Sequence, residues 1–176
     1  MPPATRKVCL VMFDTDAVLH LLCGKISAGK STLAARLAAE PATILVREDQ
    51  WLAGLYPGEQ NSLADYVRNA GRLRGVMAPH LAALLRAGLS VVLDCPANTP
   101  ESRAWMRTIV HEAEVAHQLH YLEADDALCK ARLRARNAAG THEFRVDDAT
   151  FDLFTRYFVP PAPEEGFDVV LHRQEA

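Results

Sequence analysis

Gly24-Lys25-Ile26-Ser27-Ala28-Gly29-Lys30-Ser31 has the spacing G-x-x-x-x-G-K-S, the pattern of a phosphate-binding loop. Glycines let such a backbone turn sharply, so that its N–H groups and the positive end of a following helix cradle a polyphosphate. Lys30 is placed to reach the β- and γ-phosphates, and the Ser31 hydroxyl to help hold Mg²⁺. The eight loop residues and Thr32 are therefore the candidate nucleotide contacts. The flanks suit the chemistry. Ala17 to Cys23 is a short apolar run that reads as a buried parallel strand, and Ser31 to Ala38 has apolar residues at helical spacing.

Other residues of the right type fall where a parallel sheet would present them, just beyond its strands. Glu48, Asp49 and Trp51 follow the run Thr43 to Val46, and a carboxylate there can orient or deprotonate an acceptor hydroxyl. Asp49 is the better candidate of the two acids, with a surface turn or helix cap as the plainer reading. The apolar run Val91-Val92-Leu93 ends on Asp94, the form of a Walker B aspartate that binds Mg²⁺ directly or through water. Asn98 and Arg103 come next. Asn98 can cap a helix or meet a substrate, and Arg103 can face substrate or solvent. In the run Cys129 to Asn137, Arg132 and Arg136 are four apart and share one helix face, whereas Arg134 points away. Two guanidiniums on one face can neutralise charge on a transferred phosphoryl group.

These groups need a scaffold, and alternating strand-like and helix-like segments supply one. Strands are expected over residues 17–23, 43–46, 88–94, 117–122 and 167–171, with helices between them. The pattern predicts an α/β, three-layer P-loop NTPase fold: a mainly parallel five-stranded sheet flanked by helices, plus a small helical lid. Asn61 or Ser62 can cap a long helix ending before Gly88, kinked or split at Pro79. Residues 50–87, with Trp51, Tyr56, Tyr66, Arg68 and Arg72, form the expected acceptor pocket. The polar stretch at about 137–149 suits a lid that excludes water. Residues 17–176 make one domain, and residues 1–16 form either an extension or an added edge strand.

Composition narrows the field. The chain has 176 residues, 49% of them apolar, and a net charge of −3, which indicates neither disorder nor a broad nucleic-acid surface. No apolar run reaches the length of a membrane span. Cys9, Cys23, Cys95 and Cys129 are too widely spaced for a zinc site and read as small buried hydrophobes in a reducing cytoplasm. His117 and His120 fall in one strand at a spacing that sends them to opposite faces.

The chain resembles the small P-loop kinases of the polynucleotide-kinase, zeta-toxin and chloramphenicol-phosphotransferase type over about residues 17–173. The likeness rests on Gly24 to Ser31, Asp49, the stretch from Asp94 through Asn98 to Arg103, Arg132-x-x-x-Arg136-Asn137, and Tyr157 through Pro160–Gly166 to Phe167-Asp168. It implies that Asp49 is the base or orienting group for an acceptor hydroxyl, that Arg132 and Arg136 contact ATP phosphates, and that the late proline-rich turn lies near the adenine. Lys30, Asp49, Arg132 and Arg136 are then the catalytic set. Ser31 and Asp94 hold Mg²⁺, and Asp49, Trp51, Arg72, Asn98 and Arg103 are the substrate candidates. The expected activity is transfer of the γ-phosphoryl group of ATP to a hydroxyl of a small-molecule or nucleoside-like acceptor. A polynucleotide 5′-hydroxyl kinase and an ATPase switch stay open as alternatives. Against the first, Asp94-Cys95-Pro96-Ala97-Asn98 departs from the Asp-x-Thr-Asn of polynucleotide kinases.

Overall fold

The central strand β1 (Val18–Cys23) alternates its side chains between two apolar layers, and the rest of the domain is built on that alternation. The computed structural model describes residues 17–60, 62–140 and 146–174. Within them, β1 is followed by α1 (Lys30–Leu37), β2 (Thr43–Arg47), α2 (Glu48–Leu55), α3 (Leu63–Arg86), β3 (Ser90–Pro96) and α4 (Pro100–Ala113). Then come β4 (Ala116–Glu123), α5 (Asp126–Ala139), α6 (Asp148–Arg156), a 3-10 turn at Pro163–Glu165, and β5 (Val169–Arg173). The five strands pair in parallel in the order β2-β3-β1-β4-β5. Leu19, Leu21 and Cys23 of β1 meet Leu73, Met77 and Leu81 of α3 and Met106 and Ile109 of α4. On the opposite face Leu22, Val92 and Leu122 pack with Leu33 and Ala34 of α1, Leu133 of α5 and Phe151 of α6. This is the expected three-layer α/β fold.

Several boundaries differ from the sequence reading, each for a local reason. β3 starts at Ser90 because Gly88, at φ 84°, belongs to the turn that closes α3. It also runs past Asp94 to Pro96, with a register shift opposite Leu21/Leu22 that accommodates a residue lacking an N–H. The long helix is neither split nor ended at Pro79: α3 is continuous over 24 residues, with the proline inside it. Its buried face, from Leu73 to Leu85, holds the helix through the missing hydrogen bond. Ser62 is the cap, accepting from the Asp65 N–H. Two helices went unread. In α2 the strand runs straight into a helix whose first turn carries Glu48 and Asp49, favourable charges for that end. The other, α6, is capped by Asp147, which accepts from the Thr150 N–H. Residues 1–16, with their two alternative readings, and residues 141–145 of the expected lid lie outside the described residues.

Candidate nucleotide and acceptor site

The loop Gly24–Gly29 leaves the carboxyl end of β1, the strand at which the sheet order reverses and where ligands of open α/β sheets bind. Its glycines are there for steric reasons. Gly24 has φ 150°, and a Cβ on it would lie 2.8 Å from the Leu122 carbonyl oxygen. Gly29, at φ 102°, is the left-handed residue from which α1 starts. Three contacts hold the loop in place. The Gly24 N–H donates to Asn98 Oδ1 at 2.9 Å, Lys25 ion-pairs with Asp126 in the first turn of α5, and the Ala28 N–H donates back to the Lys25 carbonyl. Ser27 Oγ is buried with no hydrogen-bond partner among the described residues.

Lys30 turns its ammonium onto the Gly24 and Lys25 carbonyls, 2.7 Å from each. Burial lowers its pKa; the Asp94 carboxylate is the strongest charge opposing that shift, and Asp49 also contributes. Arg136 has a buried Nε without a partner among the described residues. Partial burial lowers its pKa, and Asp49 is the charge that opposes the shift. Lys30, Asp49, Asp94 and Arg136 thus come from α1, α2, β3 and α5 into one electrostatic neighbourhood at the loop. Arg132 lies on the same side of α5 and donates to Gln174 Oε1 at 3.4 Å. Arg134 turns outward to Asp148 instead, as its position on the helix implies. Mg²⁺ suits the donor chemistry present: the Ser31 hydroxyl and the Asp94 carboxylate are hard oxygen ligands, and the Ser27 hydroxyl of the same loop is buried with no partner among the described residues.

The second acid after β2 has another task. Glu48 is fully buried, and both of its oxygens are occupied: Oε1 accepts from Arg74 Nε at 2.7 Å, and Oε2 from the Tyr66 hydroxyl at 3.0 Å and from Arg74 at 3.3 Å. Burial, then the Glu48 charge, raises the Tyr66 phenol well above its usual range. Arg74 also lies over the Trp105 ring at 5.2 Å. This network ties α2 to α3 and α4, and leaves Asp49, exposed in the first turn of α2, as the carboxylate turned toward the loop. The sequence reading passed over Arg74. The adjacent acids Glu48-Asp49 were its one hint, since only one could be buried and it would need a cation.

The remaining substrate candidates scatter. Trp51 packs partly buried against the core, and Arg72 is exposed on α3. Thr99, accepting from the Ser102 N–H, caps α4, so Asn98 serves the phosphate loop and not the helix. Arg103 is a correction. It is fully buried, and its guanidinium donates to Glu165 at 2.5 and 2.7 Å and to the carbonyls of Ala97, Val159 and Pro160. With its donors consumed by the late proline-rich turn, it cannot reach a substrate. Its pairing holds the Glu165 carboxyl below the usual range. Removing one partner of a buried ion pair costs about 3–5 kcal/mol. Arg103→Ala should therefore lower the unfolding free energy by that order in a urea titration, whereas a shift under 1 kcal/mol would show the clamp to be ornamental.

Residues 19–161 match the model of the AAA domain family. The chain belongs to that family. No curated protein matches the sequence. Among solved structures, the AAA domain resembles a provisionally assigned kinase from Chloroflexus aurantiacus j-10-fl (TM-score 0.70, 19% identity, 91% of this chain and 86% of that one). It also resembles Kti12 of Chaetomium thermophilum in complex with ADP-AlF3 (0.64, 15%, 88% of each chain). A third is the Mycobacterium tuberculosis APS kinase CysC in complex with AMPPNP and APS (0.57, 20%, 92% and 91%). At these identities the likeness is one of fold, an α/β P-loop fold. No helix among the described residues is long and apolar enough to cross a membrane.

Proposed function

We propose that this AAA domain transfers the γ-phosphoryl group of ATP to a hydroxyl of a small-molecule or nucleoside-like acceptor. The observation that carries the reading is the convergence of Lys30, Asp94, Asp49 and Arg136 on one loop, with Glu48 removed from competition by Arg74 and Tyr66. Phosphoryl transfer needs positioning and charge neutralisation more than covalent chemistry, so this set is sufficient. The loop amides and Lys30 bind the β- and γ-phosphates. Ser31 and Asp94 would hold Mg²⁺, which when bound neutralises charge on the phosphate oxygens. Asp49 takes the acceptor proton as that oxygen bonds to the γ-phosphorus, the bond to the β-phosphate oxygen breaks, and ADP leaves. Arg132 and Arg136 stabilise the charge spread over the transferring group.

A small acceptor is favoured over a polynucleotide by the net charge of −3 and by Pro96, which ends β3 before Asn98 is committed to Gly24. The APS kinase whose fold this chain shares is in complex with AMPPNP together with a small molecule, APS. The buried thiols Cys23, Cys95 and Cys129 suit a reducing cytoplasm. Incubation with ATP and Mg²⁺ alone tests the reading against an ATPase switch. Tight binding with little hydrolysis is the expected result; rapid, acceptor-independent hydrolysis would favour the switch.

A further inference from the structure

Three histidines from three adjacent strands form a continuous ladder on the α1 face of the sheet. His20 Nδ1 of β1 lies 3.1 Å from His120 Nε2 of β4, and His120 Nδ1 lies 3.0 Å from His172 Nε2 of β5. The rings are stacked or tilted on one another, with centroids 5.3 and 5.2 Å apart. His120 is buried, and its neighbours are half-buried. His117, on the other face, belongs to a separate contact with Arg107 and Phe167.

Each contact needs one ring N–H and one bare nitrogen. Three neutral rings carry three protons, which satisfy both contacts and leave one for an outer nitrogen. A fourth proton fits on the remaining outer nitrogen. A fifth must set N–H against N–H and open one of the two contacts. The ladder is therefore a two-step proton counter: it absorbs the first added proton and breaks on the second.

We propose that this ladder is a proton-operated latch on the nucleotide site, closed when neutral and opened at its β5 end by the second added proton. β5 is an edge strand paired in the sheet with β4 alone, and the His120–His172 contact is a side-chain bond across that pairing. Two residues beyond His172, the Gln174 N–H donates to the Glu123 carbonyl at 2.9 Å, and its side-chain oxygen accepts from Arg132. The same oxygen lies 3.7 Å from the Cβ position of Gly29. Strand β5 thus delivers Gln174 to both the phosphate loop and Arg132. This link rests on the reading of Arg132 as a phosphate contact.

The electrostatics carry the right sign. Burial lowers the pKa of all three rings, and His120 is brought down from 6.5 to about 4. The charges acting on His120, besides its two ring neighbours, are Arg36 of α1, which disfavours protonation, and Asp168 before β5, which favours it. The folded state binds fewer protons than the unfolded chain, so the latch's stability is present above pH 6.5 and is lost as pH falls toward about 4.

The test uses the full chain and three proteins: wild type, His172→Gln and His20→Asn. Each amide stands in for the ring nitrogen that makes the contact but takes no proton. Melting temperature and the affinity of a fluorescent ATP analogue with Mg²⁺ are followed from pH 8 down to pH 4. The wild type should lose stability and roughly tenfold in affinity across that range, the equivalent of one unit of differential protonation, while His172→Gln loses much less of both. Parallel losses in wild type and both variants overturn the latch. A difference in melting without a difference in affinity overturns the link to the phosphate loop. If the wild type binds no nucleotide even at pH 8, the proposed function fails, and the melting curves still decide the latch.

Discussion

Arg136→Ala is expected to slow phosphoryl transfer by about 10³–10⁵-fold, the range seen where an arginine stabilises this kind of transition state. The structure favours it over Arg132 as the dominant clamp. Its Nε is buried and unpartnered among the described residues and its charge is felt by Asp49, while Arg132 is already engaged with Gln174. Arg132→Ala should cost less, and the double variant should cost less than the product of the two, since both guanidiniums serve one group. Neither change should move the melting temperature, because neither residue forms an ion pair among the described residues. Turnover and thermal melts of the three variants check this. Full activity in both single variants would reduce α5 to a solvated basic helix.

Asp49→Asn should lower transfer by ~10²–10⁴-fold while leaving nucleotide affinity nearly unchanged. Asparagine keeps the shape but cannot accept the acceptor's proton. Glu48 cannot substitute for it, because its carboxylate is buried and both oxygens are held by Arg74 and Tyr66. Single-turnover rates with saturating ATP isolate the effect from binding. An unchanged rate would mean that no side chain of α2 handles the proton.

The phosphate loop and the order of strands and helices were legible because both are local. Gly24 to Ser31 is one contiguous pattern, and β1, β2 and β3 announce themselves by apolar runs. The placement of Asp49 and Asp94 near the loop was legible for a related reason: the sheet fixes where its strand ends lie. What failed to show was decided by partners far along the chain. Arg103 looked available until Glu165, 62 residues away, was seen to claim it. Asp49 was already the better candidate of the two acids, but what removes Glu48, its burial against Arg74 and Tyr66, was not visible. The histidine ladder joins residues 100 and 52 positions apart, with no periodicity to mark them. Of the two readings at Pro79, the split failed for the opposite reason: a strong local signal yielded to the packing of α3 along its buried face.

The most direct measurement follows the γ-phosphate itself. Wild-type protein and Asp49→Asn are incubated with γ-labelled ATP, Mg²⁺ and a fractionated pool of small hydroxyl-bearing metabolites, and the labelled products are separated from inorganic phosphate. A labelled small-molecule phosphate ester that forms with the wild type and nearly vanishes with Asp49→Asn is the predicted result. Label that appears only as inorganic phosphate, at the same rate in both proteins, would contradict the phosphotransferase account.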